Sequence, residues 1–304
     1  MKGAVVTGAN GFIGSAVVRE LLKNNIPVWA VVHNDHCENI PDSDLVTIVE
    51  GDISRIGELK DKIDAGKCDT FYDIAWDGSS GTKRFDVRLQ LDNVVWTTQA
   101  LEVAKEIGCT RFLHAGSIME HETIAAAYKD GNRPGLGYVY GCGKVTAHIM
   151  CMSVAADLGI DLIWPEITNA YGPGEVSPRL VNTTIRKCIN GESPVFTAAT
   201  QNYDFVYIDD VARAFHLLGE HGRPFTEYVI GSSNAKPLRE FLLEMRETIA
   251  PDLDFVFGSI PFTGVDLPLS CFDCGKVEAD TGFRAEVSFS EGCRRTRDWL
   301  MTRM

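Results

Sequence analysis

Near its start the chain reads AVVTGANGFIGSAVVREL, with Gly8, Gly11 and Gly14 spaced three apart between an apolar run and a helical pattern. Each glycine has a steric reason in a strand-turn-helix. A side chain at Gly8 would crowd the tight turn, one at Gly11 would hold a diphosphate off the backbone, and one at Gly14 would push the helix from the strand. The helix start also presents unpaired N–H groups to an anion. The turn therefore predicts a dinucleotide site at the head of an α/β chain, with Phe12 and Ile13 as further cofactor contacts.

Apolar runs alternate with helical stretches through the first two-thirds of the chain, as expected for a parallel sheet covered on both faces. Strands are predicted at 2–7, 28–32, 46–50, 70–74, 111–115 and 162–164, and helices at 14–24, 93–108 and 139–158. After Asn169 turn signals in YGPGE and SPR break the alternation; a helix at 180–190, an apolar stretch at 205–208 and a helix from about Asp210 come next. The expected fold is a Rossmann-type, doubly wound α/β sheet, mainly residues 1–168. A smaller substrate-binding lobe, mainly 169–304, is interleaved with the last strands.

With 304 residues the chain buries roughly three-quarters of its unfolded surface and needs no disulfide or metal. Its nine cysteines are odd in number and lack framework spacing, which reads as reduced thiols and a cytoplasmic protein. Cys271 and Cys274 form the CxxC of LSCFDCGK without two further suitably spaced ligands, so no metal is expected. The net charge of -13 would repel a nucleic-acid backbone, and no apolar run reaches the about 18 residues of a membrane span. A small-molecule partner is left.

Cofactor choice turns on the residues just after the second strand, where an acid would accept a ribose hydroxyl and a base would favour a 2'-phosphate. Here Val32 leads into His33, Asn34 and Asp35, so the cofactor is NAD or NADP, with NADP slightly favoured. Asp52, in EGDIS, is a candidate adenine contact or a turn carboxylate; Ile53 beside it and Ala75 after the fourth strand are further candidate cofactor contacts.

Tyr140 and Lys144, in YGCGK, share one face of a helix one turn apart. A nearby ammonium stabilises a phenolate, and such a phenol exchanges a proton with an alcohol or carbonyl during hydride transfer. Lys144 also suits the nicotinamide ribose. Ser117 comes after the strand at 111–115 and so reaches the sheet's C-terminal edge, where its hydroxyl would donate to the reacting oxygen. Glu120 is a candidate substrate contact or a surface acid. Trp76 and Asp77 would shape the pocket, or pack in a loop; Arg84 and Arg88 would meet a phosphate, or lie on a solvated helix.

Over essentially its whole length the chain resembles the extended short-chain dehydrogenases/reductases of the nucleotide-sugar epimerase/dehydratase family. The matching pieces are TGANGFIG, the GD at 51–52, DNVVWTTQALEVAKEIG, Ser117, YGCGK, NAYGPG and DFVYIDDVARAF. The resemblance implies about seven parallel strands, frequent homodimers and Ser117, Tyr140 and Lys144 as catalytic residues. It also implies Asn93 as a supporting asparagine near the cofactor and Asn169 beside the nicotinamide and substrate.

Family members oxidise or reduce a ring carbon of a nucleotide sugar. Their 4,6-dehydratases carry Asp-Glu directly after the catalytic hydroxyl residue, where this chain has Ile118 and Met119. The expectation is therefore an epimerase or 4-ketoreductase and not a 4,6-dehydratase. Tyr203 stands where many relatives hold a diphosphate with arginine, and a second arginine is missing near PFTGVDLPLS. Two competing readings remain: a reductase or dehydrogenase of a small non-nucleotide carbonyl or alcohol, and a non-catalytic dinucleotide-binding regulator.

Overall fold

The computed structural model describes residues 1–33 and 37–303. Seven strands form its main parallel sheet: β1 Ala4–Thr7, β2 Val28–Val32, β3 Val46–Glu50, β4 Thr70–Asp73, β5 Arg111–His114, β6 Asp161–Ile167 and β7 Thr226–Ile230. They lie in the order β7-β6-β5-β4-β1-β2-β3, and the two-residue strand Gly116–Ser117 also pairs with β6. The order reverses between β1 and β4, so a crevice opens above their C-terminal ends.

The strands are rich in β-branched residues, whose stiff side chains suit a pleated surface. Along β1, Ala4 and Val6 face one core cluster and Val5 the other. That period of two requires cover on both faces. Helices α1 (Phe12–Lys23) and α6 (Ile208–His221) cover one face. The other carries α2 (Val87–Glu106), α4 (Val139–Leu158) and a 3-10 helix at Ile53–Asp61. Val17, Val18 and Leu21 of α1 are fully buried, each contributing about 1.5–3 kcal/mol by leaving water.

Side chains mark the helix ends. The Asp86 carboxylate accepts from Leu89 N at 3.1 Å and starts α2 six residues before the expected Asn93. Gly159, at φ +65, ends α4 in the left-handed conformation. Strand β6 runs three residues past the expected Trp164, and β7 brings residues from beyond Asn169 back into the sheet. Helix α3 (Met119–Ala127) occupies a stretch read from sequence as passing from a strand into a loop.

The smaller lobe is built on α5 (Leu180–Ile189), α7 (Leu238–Ile249), α8 (Gly275–Thr281) and α9 (Phe289–Met301). Its core is aromatic: Phe205 packs against Phe241 and Phe289 with ring centroids 5.2 and 5.1 Å apart. The lobe is pinned to the sheet by Asp204, fully buried, which accepts from Thr168 Oγ1 at 3.1 Å and Ser232 N at 2.8 Å.

Candidate active site

Two cavities meet over the reversal in strand order. One, of about 830 Å³, is lined by Gly8, Gly11, Phe12, Ile13 and Gly14 of the turn, by His33, Asp52 and Ile53, and by Ala75, Trp76 and Asp77. The second, of about 580 Å³, contains Ser117, Glu122, Tyr140, Asn169 and Tyr203. Ser80, Glu175, Ser177 and Arg179 line both.

The turn fits a dinucleotide on its own geometry. Gly8 has φ +64 and packs 3.1 Å, measured to where its Cβ would lie, from the Ala75 backbone. A Cβ on Gly14 would sit 2.1 Å from the Gly8 carbonyl oxygen, so helix and strand close only on glycine. A Cβ on Gly11 would meet the Gly8 oxygen at 3.1 Å and nothing else within 4 Å, so the rest of that backbone stays open. Asn34 and Asp35, the sequence candidates for ribose recognition beside His33, lie outside the described residues. Asp52 caps the 3-10 helix through Ser54 N at 2.8 Å, which holds its carboxyl below the usual range, and lies 3.6 Å from His33 Nε2.

Tyr140 and Lys144 stand on the buried face of α4. Burial raises the Tyr140 pKa, opposed by Arg179, Arg84 and the Ser117 hydroxyl. The cation against its ring is Arg84, 4.4 Å from the centroid; Lys144 Nζ lies 5.9 Å away. Lys144 donates instead to His114 Nε2 at 2.9 Å and the Ala115 carbonyl at 2.8 Å, and sits 3.7 Å over the Trp76 ring. Burial lowers its pKa to about 7.

Several expected site residues lie elsewhere. Glu120 does not reach the pocket: it is buried behind Ser117, accepting from Ser117 N at 3.0 Å, Trp164 Nε1 at 3.1 Å and His148. Arg88 is solvated and pairs with Asp92 on its own helix. Asn93 is also buried away from the cleft, where its amide braces the loop through Asp77 N and O, at 2.9 Å each. Trp76 and Asp77 line the cofactor cavity rather than the substrate pocket; Asp77 pairs with Lys83.

Glu122 is the acid that sequence reasoning missed. Two residues along α3 rotate a side chain by about 200°, so Glu120 and Glu122 face opposite ways. Glu122 lines the substrate pocket, where burial, opposed by Arg84, raises its pKa to about 7. Glu120, His148 and Glu166 form one of two groups among the described residues able to hold a metal, the other being His121, Glu166 and Glu227. These are tied by their own bonds, as in His121 Nε2 to Glu166 at 2.7 Å.

Sheet order and the glycine turn give the frame of a dinucleotide-binding fold, with Ser117 and Tyr140 in the neighbouring pocket. The model of the NAD dependent epimerase/dehydratase family matches residues 4–231, and the chain belongs to that family. Relatives include dTDP-glucose 4,6-dehydratase from Streptomyces antibioticus, 25% identical over 97% of this chain and 91% of that one. The same-named enzyme of Salmonella typhimurium is 22% identical over 98% and 92%.

Among solved structures, MoeE5 in complex with UDP-glucuronic acid and NAD superposes with TM-score 0.80 at 24% identity, covering 99% of this chain and 100% of that one. UDP-N-acetylglucosamine 4-epimerase from Methanobrevibacter ruminantium M1 gives 0.79 at 21%, covering 100% and 99%. These likenesses show the fold. The dehydratase relatives overturn the exclusion of a 4,6-dehydratase. That exclusion rested on Ile118 and Met119 alone, whereas Glu122 brings a carboxyl group to the pocket from the next turn of α3.

Among the described residues no helix is long and apolar enough to cross a membrane.

Proposed function

We propose that this is an NAD-dependent dehydratase of a nucleotide-activated hexose, oxidising a ring hydroxyl, eliminating water beside the ketone and returning the hydride within one site. The observation that carries the reading is Glu122, a carboxyl group poised near neutrality in the same cavity as Ser117 and Tyr140. The glycine turn, Ile53 and Ala75 would hold the dinucleotide; the chemistry it supplies when bound is hydride acceptance and return. Tyr140 takes the alcohol proton, Ser117 donates to the same oxygen, Arg179 and Arg84 favour the phenolate, and Lys144 would hold the ribose.

The ketone acidifies the neighbouring C–H. Glu122 takes that proton and delivers it to the hydroxyl leaving the next carbon: one C–H and one C–O bond break, and one water forms. A group with pKa near ambient pH serves both halves of that transfer. Positive charge for the diphosphate comes from Arg84 and Arg179, both acting on Tyr203, because lining residues 195–272 bring no cation. Asn169 lies in the same pocket, its Nδ2 donating to the Asp204 carbonyl at 2.9 Å.

Asp52 beside His33 puts negative charge at the cofactor rim, which supports NAD over the NADP slightly favoured from sequence. Residues 1–168 mainly serve the cofactor and 169–304 the substrate. A homodimer is supported by Val87, Leu91 and Val95, an exposed apolar stripe at spacing four on α2, beside exposed Ile149 and Met152 on α4. A cytoplasmic location is supported by nine free cysteines.

The test is incubation with NAD and dTDP- or UDP-hexoses, with products read by mass spectrometry. A keto sugar lighter by one water, without net cofactor reduction, is expected. An isomer of unchanged mass would overturn the dehydratase reading.

A further inference from the structure

Behind the reacting end lies a buried chain of polar groups, of which the proposed reaction uses only the last, Lys144. Thr7 closes β1, Asp73 closes β4, His114 closes β5 and Lys144 lies on α4; all four are at most 3% exposed. Ile74 N and Ala75 N donate to Thr7 Oγ1 at 3.0 and 3.1 Å, so the Thr7 hydroxyl donates onward to Asp73 Oδ1 at 2.8 Å. Asp73 Oδ2 meets His114 Nδ1 at 2.7 Å, and His114 Nε2 meets Lys144 Nζ at 2.9 Å.

These contacts assign every proton. A carboxylate only accepts, so Nδ1 carries the imidazole hydrogen and Nε2 is left bare to accept from the ammonium. Two of the three Nζ hydrogens are then taken, by His114 and by the Ala115 carbonyl, which leaves one beneath the Trp76 ring, itself part of the cofactor cavity wall.

We propose that Asp73 and His114 are positioning residues that aim Lys144 and keep it charged: the neutral imidazole accepts from Nζ, and the Asp73 carboxylate behind it balances the ammonium. The proposal rests on the reading that Lys144 serves the cofactor.

The charged and titratable groups around the pair come from several elements. Lys144 faces Asp73 of β4, His114 of β5, Glu120 of α3 and Cys151 of its own helix. His114 faces Asp73, Lys144 and Glu120, with the Trp164 ring stacked 4.6 Å from its own. Glu120 and Asp73 are the carboxylates that favour the Lys144 charge, and Asp73 is the one bonded to His114. Burial and the neighbouring ammonium push His114 down to about 4, so the imidazole stays neutral and serves as an acceptor for the ammonium.

The test uses the full chain with NAD bound. Asp73→Asn keeps the shape and an acceptor for Nδ1–H but removes the balancing charge, so Lys144 sheds its proton at lower pH. The alkaline limb of the kcat profile is expected to move acid by about one pH unit, with substrate KM little changed. A role confined to packing would lower kcat equally at every pH, and an unmoved limb overturns the proposal.

Wild-type protein supplies the second measurement. Labelled lysine and histidine side chains are followed by NMR from about pH 5 to about pH 9, a range that spans the lowered lysine while His114 stays neutral. His114 Nε2 and Lys144 Nζ should change together; Lys144 titrating alone while Nε2 never responds would overturn it. Tyr140→Phe separates the layers. If that variant is inactive but Asp73→Asn leaves the limb unmoved, the positioning inference alone fails; if Tyr140→Phe stays active, the underlying reading fails.

Discussion

The cofactor cavity contains a stretch of bare backbone at the end of β1, where Gly8, Gly11 and Gly14 leave the chain open to a diphosphate. The substrate pocket is lined by segments spread over the chain, from Ser80 to Thr296. The first is therefore close to all-or-none: backbone fits or it does not. The second sets what happens to a molecule already bound. Substitutions should divide along that line.

The largest expected effect is at Tyr140. Phenylalanine keeps ring volume and helix propensity, so the turn and NAD affinity should persist while the proton donor and acceptor disappears, typically worth about 10²-fold to 10⁴-fold in rate. Steady-state kinetics should show kcat/KM down at least a hundredfold, a loss of about 3 kcal/mol in transition-state stabilisation. Retention of more than a tenth of wild-type activity would sink the mechanism.

Next comes Glu122→Gln. Water elimination should slow by about a hundredfold, within the usual range for an acid-base residue, while oxidation survives and NADH accumulates on the enzyme. Stability should also respond. Burial keeps Glu122 protonated up to about 7, whereas the unfolded chain ionises near 4.5, so between those values the unfolded state holds fewer protons and wild-type stability falls as pH rises. Calorimetric Tm of the glutamine variant should lack that slope. Identical slopes would place Glu122 in an ordinary solvated setting.

A smaller effect, confined to the other cavity, is expected for Gly14→Ala. The added Cβ would lie 2.1 Å from the Gly8 oxygen, so the turn must open. Overpacking of this kind costs about 1–3 kcal/mol. NAD affinity should fall tenfold or more by calorimetry, with the product pattern unchanged at saturating NAD. A changed product pattern would break the division between the two regions.

The same contrast explains what the sequence disclosed. The turn was legible because three glycines and their flanking periodicity are consecutive, and the strand at 28–32 was read to the residue for the same local reason. Tyr140 and Lys144 were legible because one helix turn places them together. Glu120 was misplaced because α3 has no side-chain cap and little amphipathic contrast to announce it; without a helix the two-residue offset to Glu122 carries no direction. Arg84 and Arg88 looked equivalent until the Asp86 cap put a helix start between them, sending Arg88 to solvent and leaving Arg84 over Tyr140. The role of Asp73 was invisible because its partners, His114 and Lys144, lie 41 and 71 residues away and meet only across adjacent strands and a helix.

The smallest effect sharpens the cofactor side alone. Asp52→Asn should leave the fold intact, because asparagine caps a helix start about as well as aspartate and can still accept from Ser54 N. The substitution changes charge at the rim, where the carboxylate lies 3.6 Å from His33 Nε2. A unit charge about 4 Å from a phosphate in water is worth roughly 1 kcal/mol, or about fivefold in affinity. NADP binding should therefore tighten by about that factor while NAD binding weakens by a few-fold at most, measured by calorimetry at low salt, since salt screens exposed charges. The two affinities should converge as NaCl rises in the wild type but not in the variant. An unchanged NAD to NADP ratio at low salt would show that cofactor choice is made elsewhere along the rim.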